Sequence, residues 1–277
     1  MFREFTHRKS WQFVTGRDLA ELLDYRDLLY MLILREIKVL YKQTIIGLGW
    51  VALKPLLQML LFTLIFGKLA GMENMVNTGV PYAVFAYVAI VPWTYFSSAV
   101  SNSAGSLIAN AEFITKIYFP RVIIPLVPVL AKLLDFICAF VLLIGLMLFY
   151  GIAPSSNALY LPLLILLMIL LAFAAGLWLS ALAIQYRDVN QAVQFLMQML
   201  MYASPIIWPM SFIPERYRLI YGLYPMAGII EGFRAALTTS VPMPWDLIGV
   251  GSITTLALLF TGAIFYRNRE TVFADVA

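Results

Sequence analysis

Residues 159–184, LYLPLLILLMILLAFAAGLWLSALAI, hold no charged side chain. Five other runs are predominantly apolar, at approximately 45–67, 80–101, 122–150, 190–210 and 247–266. A helix crossing about 30 Å of hydrocarbon needs roughly 20 residues. In lipid every backbone N–H and C=O must be paired within the spanning structure, so each run predicts a transmembrane helix. A β-barrel would instead show short segments of alternating polarity. Composition agrees with this reading. The 277 residues are 62% hydrophobic and 12% charged, where a soluble domain is about 45–50% apolar and about 25% charged. The same values exclude a disordered chain. The expected fold is an all-α membrane protein with six transmembrane helices.

Basic residues set the expected orientation, because cytoplasmic loops are enriched in Lys and Arg. With the N-terminus inside, 13 of the 19 basic residues fall on the cytoplasmic side and 4 outside. Lys54 and Lys132 fall within spans. Both termini are therefore expected to be cytoplasmic, as six spans require. Residues 1–27 mix Arg, Lys, Asp and Glu and lack the apolar core of a cleaved signal peptide. Residues 17–44 read as an interfacial helix. On a helical wheel Ile33, Ile37, Leu40 and Tyr41 share one face, and Arg35, Lys38 and Lys42 the opposite one. A solvated helix packed on a partner would show the same pattern. The chain thus divides into a tail with an interfacial helix (1–44) and a transmembrane domain (45–277).

Several chemistries are excluded. One cysteine (Cys138) and one histidine (His7) allow neither an intrachain disulfide nor a Cys-based or multi-His zinc site. There is no GxxxxGK[ST] phosphate loop, no GxGxxG, and no HExxH, DDxxD or GxSxG pattern. Lys132 and Asp135 are spaced to pair on one helical face, as a mutually neutralised pair or a functional one. Charge within the spans is otherwise sparse, so the chain reads as a conduit driven by energy from elsewhere.

Three constellations remain. The inner connection SLIANAEFITKIYFPR (106–121) offers Phe113, Tyr118 and Phe119 as apolar anchors and Glu112, Lys116 and Arg121 as polar contacts for a soluble partner. A plain inter-helix loop is the simpler reading. The turn Tyr186-Arg187-Asp188 is a smaller candidate contact. Next, Tyr82, Phe85, Trp93 and Phe96 fall on one helical face. They form either a surface that stacks on sugar rings or an interfacial aromatic belt. Finally, the outer connection 211–246 holds Met226–Leu237, too short to span and suited to a re-entrant helix. Glu231 and Arg234 pair on it, and Pro205, Pro209, Pro214 and Pro225 break the chain path around it. An outer gate and a packed hairpin are both compatible.

These residues resemble the membrane subunit of type-2 ABC exporters, in the polysaccharide-export branch that handles O-antigen, capsule or teichoic-acid chains. The matching stretches are 35–71 (REIKVLYKQTIIGLGWVALKPLLQMLLFTLIFGKLAG), 80–121 (ending NAEFITKIYFPR), IQYRDV (184–189), SPIIWPMSFIPERYR (204–218) and PMAGIIEGFRAAL (225–237). The resemblance implies a channel made by two copies of the chain, in the bacterial inner membrane. It implies two copies of a separate phosphate-loop ATPase, which bind the ATP and Mg; this chain would hold no cofactor and no metal. It implies that Asn110, Glu112, Phe113, Ile114, Lys116, Tyr118, Phe119 and Arg121, with Tyr186, Arg187 and Asp188, couple to that ATPase. Arg35, Lys38 and Lys42 would lie where a polyprenyl-linked glycan is admitted. Trp50, Tyr82, Phe85, Trp93, Phe96, Tyr202 and Trp208 would line its path. Tyr224, Pro225, Glu231 and Arg234 would form the outer gate. Tyr224 stands where the family often has Asn. Two rivals stay open: an exporter of a lipid or drug, and a transferase acting on polyprenyl-phosphate sugars, which would need a carboxylate cluster for a metal.

Overall fold

A computed structural model describes residues 24–41, 49–75, 79–116, 119–186, 188–239 and 241–276, with side chains omitted at 40, 41, 75, 115, 116 and 271–276. Lys42, Tyr118 and Arg187 therefore lie outside the described residues, as does the side chain of Lys116. Helix α1 is Arg26–Tyr41, and α2 is Gly49–Phe62 with a π-helical continuation, Thr63–Leu69. A short α3 (Met72–Met75) leads to α4 (Tyr82–Ala109), α5 (Ala111–Lys116), α6 (Ile123–Ala131) and α7 (Leu133–Phe149). There follow α8 (Leu161–Ala183), α9 (Val189–Ala203), α10 (Glu215–Gly222), α11 (Pro225–Leu237) and α12 (Trp245–Val276). No strand occurs among the described residues.

Five helical stretches are long and apolar enough to cross a membrane: Gly49–Leu69, Tyr82–Ala109, Ile123–Phe149, Ser156–Ala183 and Trp245–Glu270. The remaining run expected from sequence, 190–210, is helical only to Ala203. Fifteen residues span about 22 Å at the α-helical rise, short of the hydrocarbon thickness. The cause is local. Pro205 disfavours the helical conformation in the residue before it, and Ser204 is extended, with ψ 151°.

Helix α4 is the axis of the molecule. Its apolar window is 78% buried, against 22–33% for the other four. It packs on α2, α6, α7, α8, α9 and α11. Small residues such as Ala86, Ala89, Ala99 and Ala104 on α4 have no exposed surface, and small side chains are what allow membrane helices to approach closely. Gly176 on α8 is one such point: a Cβ there would sit 2.3 Å from the Ser103 hydroxyl. Pro92 lies inside α4 without ending it.

A second, smaller core lies at the end of the molecule that carries α5. It joins Leu32 of α1, Ile114 of α5, Phe119, Ile123 of α6, Leu177 of α8 and Tyr266 of α12. Helix α1 packs on α6 with Leu32 buried, Ile33 and Ile37 half-buried, and Arg35 and Lys38 exposed. That is the two-faced pattern its spacing predicts. The charged pair at the root of α7 also forms. Lys132 occupies the turn between α6 and α7, and its Nζ donates to Asp135 Oδ2 at 3.0 Å.

Candidate functional site

The end that carries α5 is built around a single turn. Asn110 stops α4. Its Nδ2 donates to the Ser106 carbonyl at 2.9 Å, and its Oδ1 accepts from Arg35 at 3.5 Å. The chain then forms α5, the short helix expected over 106–121. Glu112 is exposed on it and Phe113 half-buried, while Ile114 and Phe119 face inward at 6% and 4% exposure. Phe113 and Phe119 rings pack with centroids 5.3 Å apart. Arg121 donates to the Glu270 carbonyl of α12, and its own carbonyl accepts from the buried Tyr266 hydroxyl at 2.9 Å. The sequence reading offered Phe119 to a partner as an apolar anchor and Arg121 as a polar contact; the structure uses both to hold the root of α5 on α12 and the small core. Among the described α5 side chains Glu112 is exposed, and Phe113 is half-buried against the small core. Tyr186 and Asp188 in the neighbouring turn are also exposed.

Beside this turn lies a cleft of about 330 Å³ between α1, α4, α6 and α9, with Arg35, Asn102, Asn110, Asn190 and Gln194 on its walls. Sequence reasoning found Arg35 and Asn110 but missed Asn102, Asn190 and Gln194. Their signal was present: amides inside otherwise apolar runs, which membranes tolerate only against a partner or a polar cavity.

At the opposite end the shortness of α9 creates a problem that α10, α11 and α4 solve. Residues 204–209 are irregular, so their carbonyls have no helical partners, and unpaired backbone at membrane depth is costly. The Ala203 carbonyl accepts from the Tyr221 hydroxyl, that of Ile206 from Arg234 at 3.0 Å, and that of Ile207 from the Tyr82 hydroxyl at 2.8 Å. The Met210 N–H donates to Glu231 Oε1 at 3.1 Å. The Ser204 and Tyr224 hydroxyls are 2.9 Å apart. Glu231 and Arg234, on successive turns of α11, form an ion pair at 2.7 Å with side chains 5% and 1% exposed. The guanidinium also lies 3.7 Å from the Phe85 ring centroid. A buried pair is more tolerable when further hydrogen bonds satisfy its partners; here the backbone of 206 and 210 supplies two, while Arg234 Nε is left without one. Pro225 begins α11, where its missing N–H costs nothing. Burial pushes the Tyr221 and Tyr224 phenols above their ordinary range, so both stay protonated. Glu231 and Arg234 therefore form a clamp inside the subunit and do not line an open surface.

The aromatic residues divide into two groups. Tyr82, Phe85, Trp93 and Phe96 do share a face, and that face points into the core, with exposures of 2%, 2%, 3% and 5%. In this conformation they cannot stack on a passing sugar. Their rings pack in pairs, Tyr82 on Phe85 and Trp93 on Phe96, with centroids 5.7 and 5.8 Å apart. Trp50 and Tyr202, by contrast, are 40% and 49% exposed, and Trp208 is half-buried against Tyr221. Trp50 is on α2 and Tyr202 on α9, two helices joined by a Gln58–Met201 contact at 3.1 Å. The outward faces of α2 and α9 carry Leu57, Leu61, Leu64, Phe195 and Met199, all exposed.

Five helices long and apolar enough to cross a membrane, with a short helix at one end and a clamped short helix at the other, describe an integral membrane protein. The chain belongs to the ABC-2 type transporter family, whose model matches residues 27–238. It is 30% identical over 251 residues to the O-antigen export system permease protein RfbA of Klebsiella pneumoniae, covering 90% of this chain and 95% of the relative. It is 27% identical over 257 residues to the RfbA protein of Myxococcus xanthus, covering 92% and 97%. It is 26% identical over 244 residues to the polysialic acid transport protein KpsM of Escherichia coli, covering 86% and 92%.

Proposed function

We propose that this chain is the permease subunit of an ATP-driven exporter that moves a polyprenyl-linked polysaccharide across the bacterial inner membrane. The observation that carries the reading is near-full-length similarity to export permeases named for O-antigen and polysialic acid, on a chain with five apolar spanning helices. Helix α9, continued through 204–209, makes the sixth crossing and leaves both termini cytoplasmic. The α5 end is then the inner one, in keeping with the excess of Lys and Arg expected there.

Two copies form the channel, with the uncovered faces of α2 and α9 turned to the partner and to the substrate. Trp50, Tyr202 and Trp208 supply aromatic surface, and the four buried rings of α4 stiffen the wall behind them. A separate ATPase binds ATP and Mg. It docks against α5 through Glu112, Phe113, Lys116 and Tyr118, with Tyr186, Arg187 and Asp188 beside them. Ile114, Phe119 and Arg121 relay its motion into the small core. Arg35, Lys38 and Lys42 on and beyond α1 meet the anionic lipid headgroup. The clamp at Glu231 and Arg234, with Tyr224 and Pro225, holds the exit shut until the spans move.

Deleting the gene and restoring it tests the reading. Loss of surface polysaccharide with accumulation of lipid-linked glycan inside the cell is expected. Unchanged surface polysaccharide in the deletion strain would overturn it.

A further inference from the structure

The cleft beside Arg35 has chemistry that an empty gap between membrane helices does not need. Asn102 of α4 faces Asn190 and Gln194 of α9 across it, Arg35 and Glu36 of α1 close one side, and Val127 and Pro128 of α6 supply an apolar wall. Asn190 Oδ1 is buried and has no hydrogen-bond partner. Its amide lies over Gly105, close enough that a Cβ there would meet Oδ1 at 3.7 Å. Leaving the Asn190 carbonyl oxygen buried and unpaired costs free energy, and the exposed amides of Asn102 and Gln194 stand beside it, so the site is suited to a ligand that returns the missing bond.

The side-chain chemistry narrows the class. Each amide presents two donors and an acceptor, which matches ring hydroxyls that both donate and accept. Gathering a diphosphate takes several cations, whereas this cleft is lined by one, Arg35, with one carboxylate, Glu36. The apolar wall fits the C–H face of a pyranose. The volume of about 330 Å³ lies at the small end of the ligand-pocket range. We propose that this cleft binds one uncharged, hydroxyl-rich sugar unit of the glycan chain before it moves into the channel. The proposal rests on the export reading above and adds to it a location and a ligand class.

The single cysteine, Cys138, makes the test direct. On a Cys138→Ser background, Asn190→Cys and Gln194→Cys are labelled separately with a charged maleimide in inverted membranes. One set of membranes comes from cells making the glycan, the other from cells blocked before its first sugar. Labelling at both positions is expected to be about fourfold slower in the first set, the drop that three-quarters occupancy gives by mass action. Gln194 is exposed, so its variant remains informative if the Asn190 variant fails to insert. Equal labelling in the two sets would overturn the proposal. That holds for a headgroup site too, because blocked cells still contain polyprenyl phosphate and would protect equally. Unchanged surface glycan in cells lacking the chain altogether would count instead against the export reading.

Discussion

Arg234 does the work of several residues. It neutralises Glu231, donates to the Ile206 carbonyl and covers the Phe85 ring. Removing one partner of a buried pair costs about 3–5 kcal/mol, since the other charge is left uncompensated. Arg234→Met and Glu231→Gln are each expected to lower the melting temperature of the detergent-solubilised chain sharply. The double variant should recover part of the loss. Strictly additive losses would show that the two side chains do not act as a pair. Tyr266 is a second revealing residue. Its hydroxyl holds the Arg121 carbonyl at the root of α5. Tyr266→Phe removes one hydrogen bond, worth about 1 kcal/mol, and leaves the ring in place. The expected result is normal insertion with less glycan exported per ATP hydrolysed by the assembled complex. An unchanged ratio would restrict Tyr266 to stability. The spacing of Glu231 and Arg234 made their pairing readable in advance. What they grip was not readable, because Ile206 is 28 residues away and only the fold brings it near. The aromatic stripe shows the same limit. Periodicity places Tyr82, Phe85, Trp93 and Phe96 on one face but does not say whether that face meets substrate or core.

At the scale of the element, apolar runs located five spanning helices because lipid leaves a polypeptide few alternatives. They located α9 less well, since an apolar window does not register that Pro205 has already turned the chain. The shortness of α11, 13 residues, was legible in the sequence, and its seat on α12 was not. Gly228 is that seat: a Cβ there would sit 2.9 Å from the Leu247 backbone, which cannot move aside as a side chain can. Gly228→Ala is expected to cost about 1–3 kcal/mol through overpacking and to expose the 204–210 segment to protease at the outer face. Protection equal to that of the native chain would mean that α11 docks elsewhere. Helix α5 was found from its mixture of charged and aromatic residues. Its inward residues could not be told from its outward ones, because six residues make too short a pattern to assign a face. The double variant Glu112→Ala, Lys116→Ala should insert and assemble yet export little. Wild-type export at normal expression would remove α5 from the coupling route.

The molecule as a whole is one buried helix packed on by six apolar or amphipathic ones, with much of α2 and α9 left uncovered. Lipid would satisfy the leucines there. The row Gln191, Gln194 and Gln198 is also exposed on α9, and the two-copy channel proposed above would place it on a polar path. The sequence has no phosphate loop, and the proposed function requires a partner that has one. The account therefore depends most on the composition of the assembled particle. Purification of the tagged chain from native membranes in mild detergent, with the mass and ATPase activity of the complex, measures that directly. Two copies of this chain with two copies of an ATPase, active in hydrolysis, is the predicted result. A chain recovered alone from native membranes, with no ATPase bound or active, would contradict it.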